Sequence, residues 1–403
     1  MRPGRARKTK TLGLAYSTER ATARIGTLRH QRLQTSARDG CAYREGSWRH
    51  VPDAVAPYRF ERDPQRNSFV KGWTYAYRSF WGMCDEVHGR NTTRRSVQYV
   101  WQPRSCDLRP FSAAHLCGRL TRHRTPYNLV IVGDSYTGQL FMSLLAHLGG
   151  VFVHEHNPTG RKVKHGGAYV HDVPLQEFRV DALACLKQAP LPALRSWWSE
   201  KTSTFIGAHP TQKSPPLPIK FFRNEFLVDN EAEPKTQYLH QYPWVNSVQS
   251  NSIVVLQVAG WFHANWEGFE VALLRAFNAT ARHIDKPDWA KQLVVFSSNI
   301  GHDKCHDITD WPLTEPINYS TPHKYSWHNI GLLNSIAEKL TNEVGGTFLD
   351  VTTMLSYRPD GHMETDCGHW CLPSAYDITA HLFFNAVVGR IGVPLSELSP
   401  RRF

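Results

Sequence analysis

The stretch that most limits how this chain folds is NLVIVGDSYTGQ, Asn128 to Gln139, where five residues dominated by apolar side chains run straight into a polar, glycine-containing turn. A short continuous apolar run bounded by turn residues fits a strand buried on both faces. The residues after it, Gln139 to Leu148, read as a helix that Gly149-Gly150 ends. Ser135 therefore stands where a strand passes into a helix.

The same alternation recurs downstream. Ser252 to Val258 reads as a second buried strand, and the helix after it carries Phe269, Leu273, Phe277 and Ala281 four residues apart. Gln292 to Phe296 is a third strand; Leu333, Ile336, Leu340 and Val344 mark a helix before Gly345-Gly346. Thr347 to Val351 is a fourth strand and Ile378 to Ile391 a last helix. Alternation of this kind predicts α/β architecture, with a central parallel sheet and helices on both faces. Ligands of such sheets lie at the carboxyl ends of the strands, where this chain has GDS, AGWFH and SSNIGHDKC. Residues 151–250 show few periods and read as an insertion carrying substrate loops.

Three segments are expected: a basic leader over 1–38, a cysteine- and aromatic-rich lobe over 39–120, and the α/β body over 121–403. The formal charge of +12 is concentrated in the leader, which holds ten Lys and Arg against the single acid Glu19 and leaves about +3 for the rest. That distribution argues against nucleic acid as a partner. The leader lacks an apolar core and reads as a transit-like or disordered segment. No window approaches the roughly 18 apolar residues of a spanning helix.

The lobe's aromatic stretches, CAYREGSW, WTYAYRSFWGMC and YVWQPRSCDLRPF, suit either a carbohydrate groove or the core of a small disulfide-stapled lobe. Eight cysteines in no CxxC pairing favour disulfides over a metal site. Sequons at Asn91, Asn278 and Asn318 point to the same oxidising compartment.

Ser135 needs a base to become a nucleophile. The segment ETDCGHWCLP offers one in His369, with Asp366 three residues earlier to orient its ring. GDS alone occurs in many strand-to-helix turns, and DCGHWC alone fits a disulfide knot around a buried His. Together, one after the first sheet strand and the other before the last helix, they read as a Ser–His–Asp set without the GxSxG elbow of ordinary α/β-hydrolases.

These motifs resemble the SGNH/GDSL fold, a three-layer α/β/α sandwich. The fuller set, WQPxxCDLxxF at Trp101 to Phe111, GDSxxxQ, FLDVTTMLSYRPDGH at Phe348 to His362, and DCxHWCLP, resembles the plant trichome-birefringence-like polysaccharide O-acetyltransferases of the PC-esterase group. The resemblance implies a Golgi-lumen enzyme that takes acetyl onto Ser135 and passes it to a polysaccharide or oligosaccharide hydroxyl. No bound cofactor or metal is expected, and acetyl-CoA is the family-level donor.

Carried over, Ser135 is the nucleophile, His369 the base and Asp366 its partner. The N–H groups of Ser135 and Gly260 are the oxyanion donors, with the Asn299 side chain a further candidate and Asp134 and Gln139 in the same oxyanion and substrate set. The implied disulfides are Cys305–Cys367, Cys84–Cys371 and Cys41–Cys106, with Cys117 and Cys185 unassigned. The chain departs from the family at Thr137-Gly138 and at Gly260-Trp261-Phe262-His263, which bears on acceptor choice. The same residues serve a carbohydrate acetylesterase, and a glycan-binding protein without turnover is the other class considered.

Overall fold

The computed structural model describes residues 41–54, 56–58, 84, 94–121, 127–156, 164–165, 168–169, 179–185, 198–199, 204–205, 217–227, 243–257, 259–323, 325–363 and 366–389. The basic leader and Asn91 lie outside them.

The ribbon formed by β1 (Gly46–His50) and β2 (Tyr99–Pro103) is antiparallel, with Trp48 opposite Trp101. Helix α1 (Ala113–Thr121) leads to β3 (Asn128–Gly133), α2 (Ser135–His147), β4 (Val151–His156), β5 (Arg179–Ala184) and β6 (Leu217–Arg223). Then come β7 (Ser252–Gln257), α3 (Trp266–Ile284), β8 (Leu293–Phe296), α4 (Ile330–Val344), β9 (Thr347–Leu349) and the short α5 (Thr352–Leu355). A hairpin of β10 (His362–Met363) and β11 (Asp366–Trp370) precedes α6 (Ile378–Val387).

Seven strands form the central sheet in the order β9-β8-β7-β3-β6-β5-β4. Only β5 runs against the others, pairing antiparallel with both β6 and β4. The sheet is therefore mixed, where the sequence predicts a parallel one. The difference lies in residues 151–250, read from sequence as an inserted loop region: three strands of the sheet come from it. Antiparallel neighbours need no crossover helix, so β4 to β6 leave no βα alternation in the sequence.

The chain leaves β3 for the far edge, returns to β3 through β6, and then builds outward on the other side from β7. The carboxyl end of β3 is thus a topological switch point, where open α/β sheets form a crevice.

Side chains of β3 alternate between two cores. Leu129 and Ile131 pack with Leu140, Phe141 and Leu144 of α2 and with Leu382 and Phe383 of α6. Val130 and Val132 pack with Phe269, Leu273 and Phe277 of α3 and with Leu333 and Leu340 of α4. Strand residues facing helices on both sides give three layers around two cores.

The β1–β2 ribbon is joined to the C-terminal third by a buried cation. Arg358 forms a pair with Asp360 at 2.7 Å, and its guanidinium lies 4.5 Å from the Trp48 ring and 4.8 Å from the Tyr99 ring. Trp101 is buried there, while Trp48, Tyr99, Arg109 and His381 line an adjoining cavity of about 340 Å³. The ribbon's aromatics thus take part in both core packing and a cavity wall. Four disulfides close the structure: Cys41–Cys106, Cys84–Cys371, Cys117–Cys185 and Cys305–Cys367. The third joins the two cysteines to which the sequence assigns no partner.

Candidate active site

The turn after β3 has room for no side chain at Gly133. A Cβ there meets the Gln257 carbonyl at 2.3 Å and the Thr137 hydroxyl at 2.1 Å, so glycine lets the turn before Ser135 press against β7. Asp134 then caps α2, its carboxylate accepting the Tyr136 N–H at 2.9 Å. This cap starts the helix at Ser135, four residues before the sequence-predicted start. Ser135 thereby occupies the first helical position, where an N–H has no intrahelical acceptor and the helix dipole is positive.

Asp366 and His369 lie on β11, which the Cys305–Cys367 bond ties within the strand and the Cys84–Cys371 bond ties just past its end. The Asp366 carboxylate accepts the Gly368 N–H at 2.7 Å and the Nδ1–H of His369. Nε2 of His369 is 2.8 Å from Oγ of Ser135. The structure thus brings together the three residues that the sequence places 234 and three positions apart. With Nδ1–H donated to Asp366, Nε2 presents its lone pair to the Ser135 hydroxyl, the tautomer a general base requires.

Burial would raise the Asp366 pKa, but its hydrogen bond to His369, the charge of that ring and the two backbone N–H groups outweigh burial and hold the carboxyl below its usual range. Asp366 stays ionised and holds the His369 ring through its Nδ1–H.

Gln139 and Asp134 serve the frame of the site. The Gln139 amide donates to the Trp370 carbonyl at 2.6 Å and accepts the Trp370 N–H at 3.3 Å. It is wholly buried, so it clamps the strand that carries His369 to α2, where the sequence suggests a substrate contact. Asp134 is buried as a cap beside the Arg223–Glu225 ion pair, and burial pushes its pKa up to about 6.

The proposed oxyanion groups occupy different settings. Gly260 begins a turn at the carboxyl end of β7, with open space where a Cβ would stand. Asn299 is 1% exposed. Its amide lies by the Tyr376 hydroxyl, which donates to the Tyr136 carbonyl at 2.8 Å.

Residues that sequence reasoning overlooked complete the surroundings. The Tyr136 ring lies 5.6 Å from the His369 ring. Burial, then the charges of Asp134 and Asp366, push the Tyr136 hydroxyl well above its usual range, so it remains a neutral donor. Its position inside GDSYTGQ was the available signal. Gln257, which donates to the Ser297 carbonyl at 2.9 Å, and Arg223 had no such signal.

Cys305, His306 and Cys367 approach one another closely enough to hold an ion, but the two sulfurs are bonded together and offer no thiolate. Asn318 is on an exposed loop, whereas Asn278 is half-buried within α3 and the Thr280 of its sequon is fully buried. No helix among the described residues is long and apolar enough to cross a membrane.

No family model matches the chain. A relative from Arabidopsis thaliana, protein trichome birefringence-like 9, is 23% identical over 385 positions, covering 88% of this chain and 85% of its own length. That likeness extends over most of both chains.

Proposed function

We propose that this protein is a polysaccharide O-acetyltransferase built on an SGNH-like fold. The observation that carries the reading is the 2.8 Å contact from His369 Nε2 to Ser135 Oγ at the switch point of the sheet. In the first half-reaction Ser135 Oγ attacks the acetyl carbonyl while His369 takes its proton. The tetrahedral oxyanion collapses, the donor leaves with that proton, and acetyl-Ser135 remains. In the second half a glycan hydroxyl, giving its proton to His369, attacks the acetyl carbonyl, and the second oxyanion collapses as Ser135 Oγ leaves with that proton returned from His369.

Each half-reaction passes through an oxyanion, for which the N–H groups of Ser135 and Gly260 and the Asn299 amide are the proposed donors. The positive end of α2 supports the same charge. The relative's family name and the four disulfides support a glycan acceptor and an oxidising, secretory-pathway compartment such as the Golgi lumen. Acetyl-CoA is the proposed donor.

The test incubates the purified chain with an acetyl donor and oligosaccharides and follows the products by mass spectrometry. Transfer of acetyl to an oligosaccharide, lost in Ser135→Ala, is expected. Removal of acetyl from an acetylated glycan without any transfer would replace the transferase reading with an esterase.

A further inference from the structure

Behind the base lies a pair of histidines to which the proposed reaction gives no direct part. Nδ1 of His302 is 2.7 Å from Nε2 of His362. On the outer side of each ring stands a backbone carbonyl: Ser356 O, 3.0 Å from His302 Nε2, and His369 O, 2.9 Å from His362 Nδ1. His302 is 0% exposed and His362 6%. The backbone N–H of His302 also donates to the Cys367 carbonyl at 3.0 Å, and the His362 ring lies 4.1 Å from Trp370.

Protons can be counted from these contacts. A carbonyl only accepts, so both outer nitrogens carry N–H. Two neutral rings hold just two protons between them, which would leave two lone pairs facing each other at 2.7 Å. A third proton, between the rings, satisfies every contact. Burial works against any charge on the pair, pushing His302 down to about 4 and His362 well below its ordinary value, with the His302 charge adding to the second shift, and so excludes a fourth proton. One charge shared by two rings, with both outer N–H groups bonded, avoids much of that penalty. The charged groups facing the pair are Asp360, itself held by Arg358, and Asp366 and His369.

We infer that His302 and His362 are a positioning pair for His369, joined by one shared proton, and that they aim its ring at Ser135 by holding the carbonyl behind it. This rests on His369 acting as the base. His369 is tied in front through its ring to Asp366, at the next residue by Gln139, and from behind by His362.

Two measurements on the full chain test the pair. In the first, ¹⁵N-histidine NMR between about pH 5 and 8 should show both outer nitrogens as N–H and one strongly deshielded proton that disappears in His302→Phe. Two ordinary neutral tautomers with no such proton would overturn the inference.

The second follows labelling of Ser135 by a serine-reactive phosphonate. His362→Asn keeps a donor near the place of Nδ1 and should stay within about threefold of wild type. His362→Phe should lower the maximal labelling rate about tenfold or more, without changing the half-saturating concentration. His302→Gln, which keeps the donor to Ser356 and loses the inner nitrogen, should fall with it and serves if the Phe variant does not fold. A folded Phe or Gln variant with wild-type labelling, or an Asn variant as slow as Phe, would refute the pair. Failure of wild type itself to label would count against the acyl-transfer reading and leave the pair to the NMR result.

Discussion

Gln139→Met separates a clamp from a substrate contact. Methionine matches glutamine in length and keeps the buried space filled, so the perturbation is the loss of two hydrogen bonds to the Trp370 backbone, at 2.6 and 3.3 Å. The clamp is wholly buried, so no water replaces it. Each backbone group left unmatched in such a place costs about 1–3 kcal/mol. The 3.3 Å contact belongs at the low end, which puts the total at about 2–4 kcal/mol. Chemical denaturation should show this loss at an unchanged m-value.

The same variant should label more slowly at Ser135, because Trp370 follows His369 directly. Gln139→Glu gives a second handle. A buried carboxylate facing the Trp370 carbonyl is disfavoured, while its protonated form donates as the amide does, so its folded pKa is raised above about 4.3. Its stability should therefore approach wild type at low pH and fall away as pH rises. If Gln139→Met keeps wild-type stability and labelling rate and only weakens substrate binding, the clamp argument fails.

Asp134→Asn should keep the helix cap yet remove a buried acid whose pKa is pushed up to about 6. A raised acid favours folding fully only below its unfolded value of about 3.9, and that contribution is lost as pH rises through about 6. The variant should gain stability relative to wild type as pH rises from about 4 to 6, with the difference level above that, and a pH-independent difference would refute this. Cys371→Ser opens a bond spanning 287 residues and should cost about 2–5 kcal/mol. Melting under oxidising conditions checks it, with an unchanged transition counting against the bond.

Much of the layered fold was readable because β3, β7 and β8 are continuous apolar runs, a pattern that burial on two faces imposes. The strands β4 to β6 were not. In β6, Lys220 and Arg223 are buried within the sheet, and these charges interrupt the run that would reveal it. The start of α2 was misplaced for a local reason: the capping carboxylate of Asp134 draws Ser135 into the helix, and periodicity registers only the apolar residues further along.

At the site, Ser135, Asp366 and His369 stood out because their chemistry coincides with strand and helix ends. His302 and His362 are 60 residues apart and meet only through folding. The Cys117–Cys185 bond was hidden for the same reason, because spacing does not determine connectivity. Gln139 was visible as a motif residue, but its task depends on where the Trp370 backbone lies.

The most direct test of the account is to look for the acetyl-enzyme. After brief exposure to an acetyl donor and an acid quench, peptide mass spectrometry should find acetyl on Ser135 in wild type and none in Ser135→Ala or His369→Ala. A preparation that transfers acetyl while Ser135 stays unmodified, or an adduct that forms equally well without His369, would contradict it.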